Sequence, residues 1–347
     1  MRRARKFMAR LGGVETTAAR DVWHDLGGGW WRLTVPDPYR GANVYLLVDH
    51  GIYLVDAGHG SPEALAFLVR ALQARGISPG SLAGVIYTHP HVDHMGGGVL
   101  LAEQWPQVKH LAHRETVEIA RDYPGWVERT HRCVPDALAG HYPELAGELT
   151  SPATRVWAES YYLAPGSLEV VPLADGQEIS LGRTRLVVLY TPGHQEKHIT
   201  LYCPQRRAVI TGDLLIGAST SIQLFTGGNV GQYYRSLDRM RRVKADMFYP
   251  GHGHPRPLGP ALDLAEKTVH GQEEQIRQIL SAGPLTAAQV AGKMFPRLPP
   301  APGILLTLGL VLSHLTHLVE EGAVKVEERE GIRYYCLQPH WDGGGAG

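Results

Sequence analysis

Over its first two thirds the chain alternates short apolar runs with polar, glycine-bearing breaks; the last third changes to long amphipathic stretches. Runs at 30–35, 43–48 and 52–55 have the β-branched and aromatic content of strands, and the His50-Gly51 turn pairs the last two as a hairpin. A helix follows, with Ser61 as its cap, Pro62 in its first turn, Leu65, Leu68, Val69 and Leu72 on one face, and Gly76 at its end. The pattern then predicts a strand at 82–87, a helix at 98–104 and a strand at 108–112. Further strands are expected at 168–171, 177–180, 184–190, 199–202, 207–211 and 245–248, with Asp175-Gly176 and Gly182 marking turns. An amphipathic helix at 232–243 precedes the last of these. After a break at 256–260 come helices at 262–280, 286–294 and 304–321, then a hairpin formed by 324–327 and 332–337.

One stretch does not fit a core. At the exit of the 82–87 strand stands Thr88-His89-Pro90-His91-Val92-Asp93-His94-Met95-Gly96-Gly97, three imidazoles and a carboxylate within six residues. Burying them unpaired would cost desolvation energy that apolar neighbours cannot return. A divalent metal centre gives each a partner: His89 and His91 serve one position, Asp93 and His94 a second. Downstream, Thr191-Pro192-Gly193-His194, Gly212-Asp213 and Tyr249-Pro250-Gly251-His252-Gly253 each follow a short apolar run. Loops on one edge of a sheet would bring all of them together, where α/β architectures place chemistry. The glycines at 96–98 would let the chain turn tightly beside that centre.

This layout resembles the metallo-β-lactamase fold superfamily, α/β proteins built as αββα sandwiches with one or two metals at one edge. The family's motifs match at Asp56, His89, His91, Asp93, His94, His194, Asp213 and His252, and the resemblance spans roughly 29–256. It implies one metal held by His89, His91 and His194 and a second by Asp93, His94 and His252, with Asp213 bridging them. Asp56 would organise the loop by hydrogen bonding without being a ligand, and His198 would support the site from behind. The cofactors implied are two divalent ions, zinc first, with manganese or iron admitted by the carboxylates. Two cations sharing a water would generate a bridging hydroxide, and Asp93 or Asp213 would act catalytically by taking the proton released. The substrate expected is a small or medium-sized thioester, ester or lactone. The runner-up activities are phosphodiesterase or ribonuclease, and an iron-dependent sulphur dioxygenase with its iron on His89, His194 and Asp213. An aspartate at 213, in place of the cysteine or serine of true β-lactamases, argues against antibiotic hydrolysis.

Against the minimal fold, 115–166 is an insertion, rich in aromatics (Tyr123, Trp126, Tyr142, Trp157, Tyr161, Tyr162) and broken by prolines. Those rings could line a pocket or form a small core of their own. The terminal helices and hairpin resemble a winged-helix-like α+β domain. The expected organisation is an extension at 1–28, a catalytic domain at 29–256 and the winged-helix-like domain at 261–340. From 261 onward there are 7 Lys/Arg against 10 Asp/Glu, the wrong balance for phosphate binding. That domain is expected to pack on the catalytic one, form a homodimer contact or help close the pocket.

Composition adds mainly exclusions. With 34 Lys/Arg against 34 Asp/Glu in 347 residues, no global field attracts nucleic acid or an anionic membrane. Cys133, Cys203 and Cys336 are too far apart for a disulfide framework or thiolate metal site. The basic start, Met1 to Arg10, lacks the apolar run of a secretory signal. The most apolar stretch, 304–312, is followed by His314 and His317 and falls short of a membrane span. A cytoplasmic protein without a membrane partner is expected.

Overall fold

The computed structural model describes residues 22–163, 165–216, 222–297 and 303–338; the basic start and the glycine-rich end lie outside the described residues. Seven strands form the first sheet in sequence order: β1 (His24–Asp25), β2 (Trp30–Val35), β3 (Ala42–Val48), β4 (Ile52–Val55), β5 (Gly84–Ile86), β6 (Lys109–His113) and β7 (Val171–Leu173). The second comprises β8 (Glu178–Ser180), β9 (Arg185–Tyr190), β10 (Ile199–Cys203), β11 (Ala208–Gly212), β12 (Met247–Pro250) and β13 (Arg256–Pro257), again neighbouring one another in sequence order.

The period-2 pattern explains why the sheets stack. In β3, Tyr45 and Leu47 face one core while Val44 and Leu46 face another. The first pair joins Val55 and Ile86, and Leu186, Val188, Leu201 and Ile210 of the other sheet, in the core between the sheets. On the outer face of the first sheet, Val44, Leu46, Leu54 and Val85 meet Leu65, Leu68 and Leu72 of the Pro62–Ala74 helix. Outside the second, Val209 and Phe248 meet Tyr233, Leu237 and Met240 of the Val230–Arg241 helix. Helix, sheet, sheet, helix is the predicted αββα sandwich.

A separate core holds the terminal unit. Helices Ala287–Met294 and Gly303–Glu320 and the hairpin of β14 (Val324–Arg329) and β15 (Ile332–Leu337) enclose Val290, Leu308, Val311, Leu315 and Leu318. Two expectations need correction. The break at 256–260 is instead strand β13 running into a helix, Leu258–Leu280. That helix is shared: Leu262 and Val269 pack on the sandwich, Ile276 and Leu280 on the terminal core. And Gly303–Glu320 is, by length and composition, apolar enough to cross a membrane; its histidines do not shorten it, and over half of it is buried in the protein.

Candidate metal centre

Each site residue sits in a loop just past a strand end, and cross-sheet hydrogen bonds bring those loops to one edge. The Thr88–His94 loop follows β5, His194 follows β9, Asp213 follows β11 and His252 follows β12. The Asn43 amide of β3 donates to the Pro250 and Gly253 carbonyls (both 2.9 Å), and Tyr45 Oη donates to Pro250 (2.6 Å), clamping the His252 loop to the first sheet. Ile199 N–H of the second sheet donates to Thr88 O (2.8 Å). From the insertion, Tyr123 Oη donates to Pro90 O (2.9 Å).

Asp56 ties the loop together. Its backbone is left-handed (φ 62°), a conformation that aspartate tolerates better than most residues. Its carboxylate accepts Thr88 N–H (2.8 Å) and Thr88 Oγ1–H (2.9 Å), and meets His94 Nδ1 at 2.9 Å. The glycines after His94 are needed for closeness more than for turning, since none of Gly96, Gly97 and Gly98 has positive φ. A Cβ on Gly97 would strike Ala57 O and one on Gly98 would strike Tyr87 Oη.

Four imidazoles are held from behind by acceptors, which assigns their tautomers. His94 Nδ1 faces Asp56, and His252 Nδ1 faces Gly41 O at 2.7 Å. His89 Nδ1 meets Thr88 Oγ1 at 3.0 Å, a hydroxyl whose proton goes to Asp56. His91 Nε2 meets Thr226 Oγ1 at 2.9 Å, and that hydroxyl donates to Gln223 O. In each ring the back nitrogen therefore carries a proton, and the other nitrogen turns inward as the ligand atom. His194 Nε2 lies 3.3 Å from His89 Nε2 and 3.0 Å from His91 Nδ1; His94 Nε2 lies 3.3 Å from His252 Nε2. Ring nitrogens facing each other so closely need a proton or a cation between them. Tetrahedral ligation at the ~2.0–2.1 Å of zinc–imidazole bonds spaces donors by about 3.3 Å, so the residues fit a divalent ion.

The donor atoms fall into three overlapping groups able to hold a metal: His89, His91 and His194; Asp93, His94 and His252; and His89, His94 and Asp213. Asp213 lies between the other two: Oδ2 is 3.8 Å from His194 Nε2 and 3.3 Å from His252 Nε2, and Oδ1 is 3.5 Å from His94 Nε2. Its buried Oδ1 has no hydrogen-bond partner among the described residues. Its own N–H donates to His198 Nε2 (3.2 Å), so His198 stands behind the centre. A Cβ at Gly251 would collide with that same Oδ1, which explains the glycine.

The profile of the Metallo-beta-lactamase superfamily matches residues 38–252. The chain belongs to that superfamily. It is a metallo-hydrolase, with a His/Asp cluster able to bind divalent metal. It is 26% identical to the probable metallo-hydrolase YqjP of Bacillus subtilis (strain 168), over 84% of this chain and 92% of that one. It is also 26% identical to the atrochrysone carboxyl ACP thioesterase of Emericella nidulans, over 76% of this chain and 66% of the thioesterase. A crystal structure of a metallo-beta-lactamase family protein from Thermus thermophilus superposes with a TM-score of 0.73 at 26% identity, covering 90% of this chain and all of that one.

Within this superfamily site the two halves differ electrostatically. Burial, reinforced by neighbouring imidazoles, pushes His89 and His91 well below the ordinary histidine range, keeping them neutral and ready as ligands. Burial would do the same to His94 and His252, but the facing carboxylates overcome it and raise them to about 9 and about 10. Asp93 and Asp213 are lowered in turn: burial alone would raise them, and His94 and His252 outweigh it. A divalent ion held by Asp93, His94 and His252 would take the place of those protons.

A cavity of about 270 Å³ opens over the centre, touching His91, Asp93, His194 and Asp213. Its walls hold residues that the motif reading passed over. Tyr39 and Arg40 come from a turn in which Asp37 accepts both backbone N–H groups (2.6 and 2.7 Å), and Arg40 Nη2 lies 3.9 Å from Asp213. His131, Trp157, Tyr161 and Tyr162 come from the insertion. Of the two uses left open, lining the cavity holds for Trp157, Tyr161 and Tyr162, whereas the insertion's other rings join existing cores instead of forming their own: Tyr123 and Trp126 pack in the sandwich core and Tyr142 in the terminal one. Arg235, Arg241 and Arg242 do not line the cavity, and Arg241 pairs with Asp263 and Glu266.

Proposed function

We propose that this superfamily member hydrolyses acyl thioesters of small or medium size. The observation that carries it is the cavity: a mixed aromatic and aliphatic chamber ending on the His/Asp cluster, with Arg40 the single Lys or Arg side chain among its described lining residues. A phosphodiester enzyme wants a cationic groove. In our reading His89, His91 and His194 hold one divalent ion, Asp93, His94 and His252 another, and Asp213 reaches both. When bound, such a pair supplies Lewis-acid activation of water and of the carbonyl at neutral pH. The chain's own groups do the rest. The walls hold the acyl part and exclude bulk water, and Asp56, Thr88 and His198 keep the donor atoms aimed. Water adds to the carbonyl carbon, the carbon–sulphur bond breaks, and Asp93 or Asp213 accepts the proton that the departing thiolate finally takes. The similarity to a thioesterase supports the choice of leaving group.

The test is a rate comparison of zinc- and manganese-loaded protein on an acyl-CoA and on bis(p-nitrophenyl) phosphate, with Asp213→Ala protein as the blank. Thioester turnover that disappears in the variant is the expected result. Turnover of the phosphodiester alone would overturn the proposal.

A further inference from the structure

The first half of the Gly303–Glu320 helix carries apolar residues on more than one side, although a packed helix needs only one apolar stripe. Its two faces have different partners. Leu305, Leu308, Val311, Leu312, Leu315 and Leu318 are buried in the terminal core. Leu306, Thr307 and Leu310, one helical turn apart, are left half-buried, and all three line the cavity over the metal centre. Across from them stands a face of rings from the insertion. Trp157 and Tyr161 stack with centroids 5.2 Å apart and planes 8° from parallel, and Tyr162 packs against His131 at 4.3 Å. Neither Tyr161 nor Tyr162 has a hydrogen-bonded hydroxyl among the described residues, which leaves both able to meet an oxygen of a ligand.

We propose that this helix face is the acyl-specificity wall of the enzyme. Leu306 and Leu310 would close one side of a slot whose other side is Trp157, Tyr161 and Tyr162, and the slot would take a compact, ring-bearing acyl group. Flat rings are the natural filling between an aromatic face and a leucine ridge. At about 270 Å³ the cavity lies at the small end of ligand pockets, which suits a compact ring better than a long chain. The terminal unit is then a substrate-recognition element. This deepens the thioesterase proposal and rests on it for the choice of substrate.

The experiment uses the metal-loaded full chain and two variants, Leu310→Trp to fill the slot and Leu306→Ala to enlarge it. Rates are read on acetyl-, phenylacetyl- and palmitoyl-CoA, and binding of the product phenylacetate by calorimetry. Wild type should prefer phenylacetyl- to palmitoyl-CoA by at least about tenfold. Leu310→Trp should lower kcat/KM for phenylacetyl-CoA about tenfold more than for acetyl-CoA and weaken phenylacetate binding by a similar factor. Leu306→Ala should shift the preference towards palmitoyl-CoA. Equal losses on all three substrates, or phenylacetate binding untouched by either variant, would overturn the wall. Should wild type hydrolyse no thioester yet bind phenylacetate in a Leu310-dependent way, the activity proposal falls and the wall stands.

Discussion

The floor and the wall of the cavity are made by opposite means. The floor is a set of loops at strand ends whose polar side chains are almost fully buried, four of the imidazoles being aimed from behind by Asp56, Thr88, Thr226 or a backbone carbonyl. The wall is a set of helix faces whose apolar side chains are left half-open. Buried polar atoms facing one another call for a cation, and half-open leucines call for an apolar ligand. In such an arrangement the floor sets the reaction and the wall sets what is brought to it.

The comparison breaks first at Asp213. On the proposed two-ion reading, Asp213→Ala should remove the shared ligand, so metal per chain, measured by elemental analysis, should fall from two towards zero. kcat/KM should drop by roughly 10³-fold or more, about 4 kcal/mol, on every substrate. His252→Ala should instead lower occupancy from two towards one, because His89, His91 and His194 keep their donors. Two metals retained in Asp213→Ala would contradict its placement between the halves.

A smaller effect is expected one layer back. Asp56 touches no substrate, but it holds the His94 tautomer and, through Thr88, that of His89. Asp56→Ala should weaken metal affinity about 10–100-fold, read by competition with a chromogenic chelator. Excess metal should restore most of the rate, since the donors themselves remain. An unrescued loss with normal affinity would make Asp56 part of the chemistry, not of the scaffold.

These floor residues were legible in the sequence because their chemistry is local: a run of histidines and an aspartate after a strand has few uses in a core. The strands were legible for a related reason, since an unbroken apolar run such as Val44-Tyr45-Leu46-Leu47 has a core on each face. The wall was harder. Trp157, Tyr161 and Tyr162 have the same composition whether they face a cavity or each other, and only packing decides. Arg40 and His131 carry no spacing partner at all. The 256–260 break misled because Pro255, Pro257 and Pro260 suggest a linker, whereas Pro257 ends a strand and Pro260 sits in the first turn of a helix, where proline is tolerated. One usable signal was present: 304–312 is more apolar than one packed face requires.

The smallest effect expected lies where the wall is fastened to the sandwich. Glu273, on the helix shared by both cores, is buried, accepts Tyr234 Oη–H (3.1 Å) and meets His317 Nδ1 at 2.6 Å. His314 Nδ1, at 4.0 Å, adds an electrostatic contact only. Burial would raise this carboxyl, but the facing histidines lower it to about 2, against an ordinary value of 4.5. A carboxylate lowered on folding stabilises fully above its unfolded value and loses that contribution as pH falls through its folded one. Glu273→Gln should therefore destabilise the chelated protein by on the order of 1–3 kcal/mol at neutral pH. The gap from wild type, measured by urea unfolding, should shrink between about pH 4.5 and about pH 2. Metal content should be unchanged, since Glu273 contacts no floor residue. A gap that persists unchanged below pH 3 would mean that the glutamate acts by shape alone. A fall in metal content would mean that wall and floor are coupled through this helix after all.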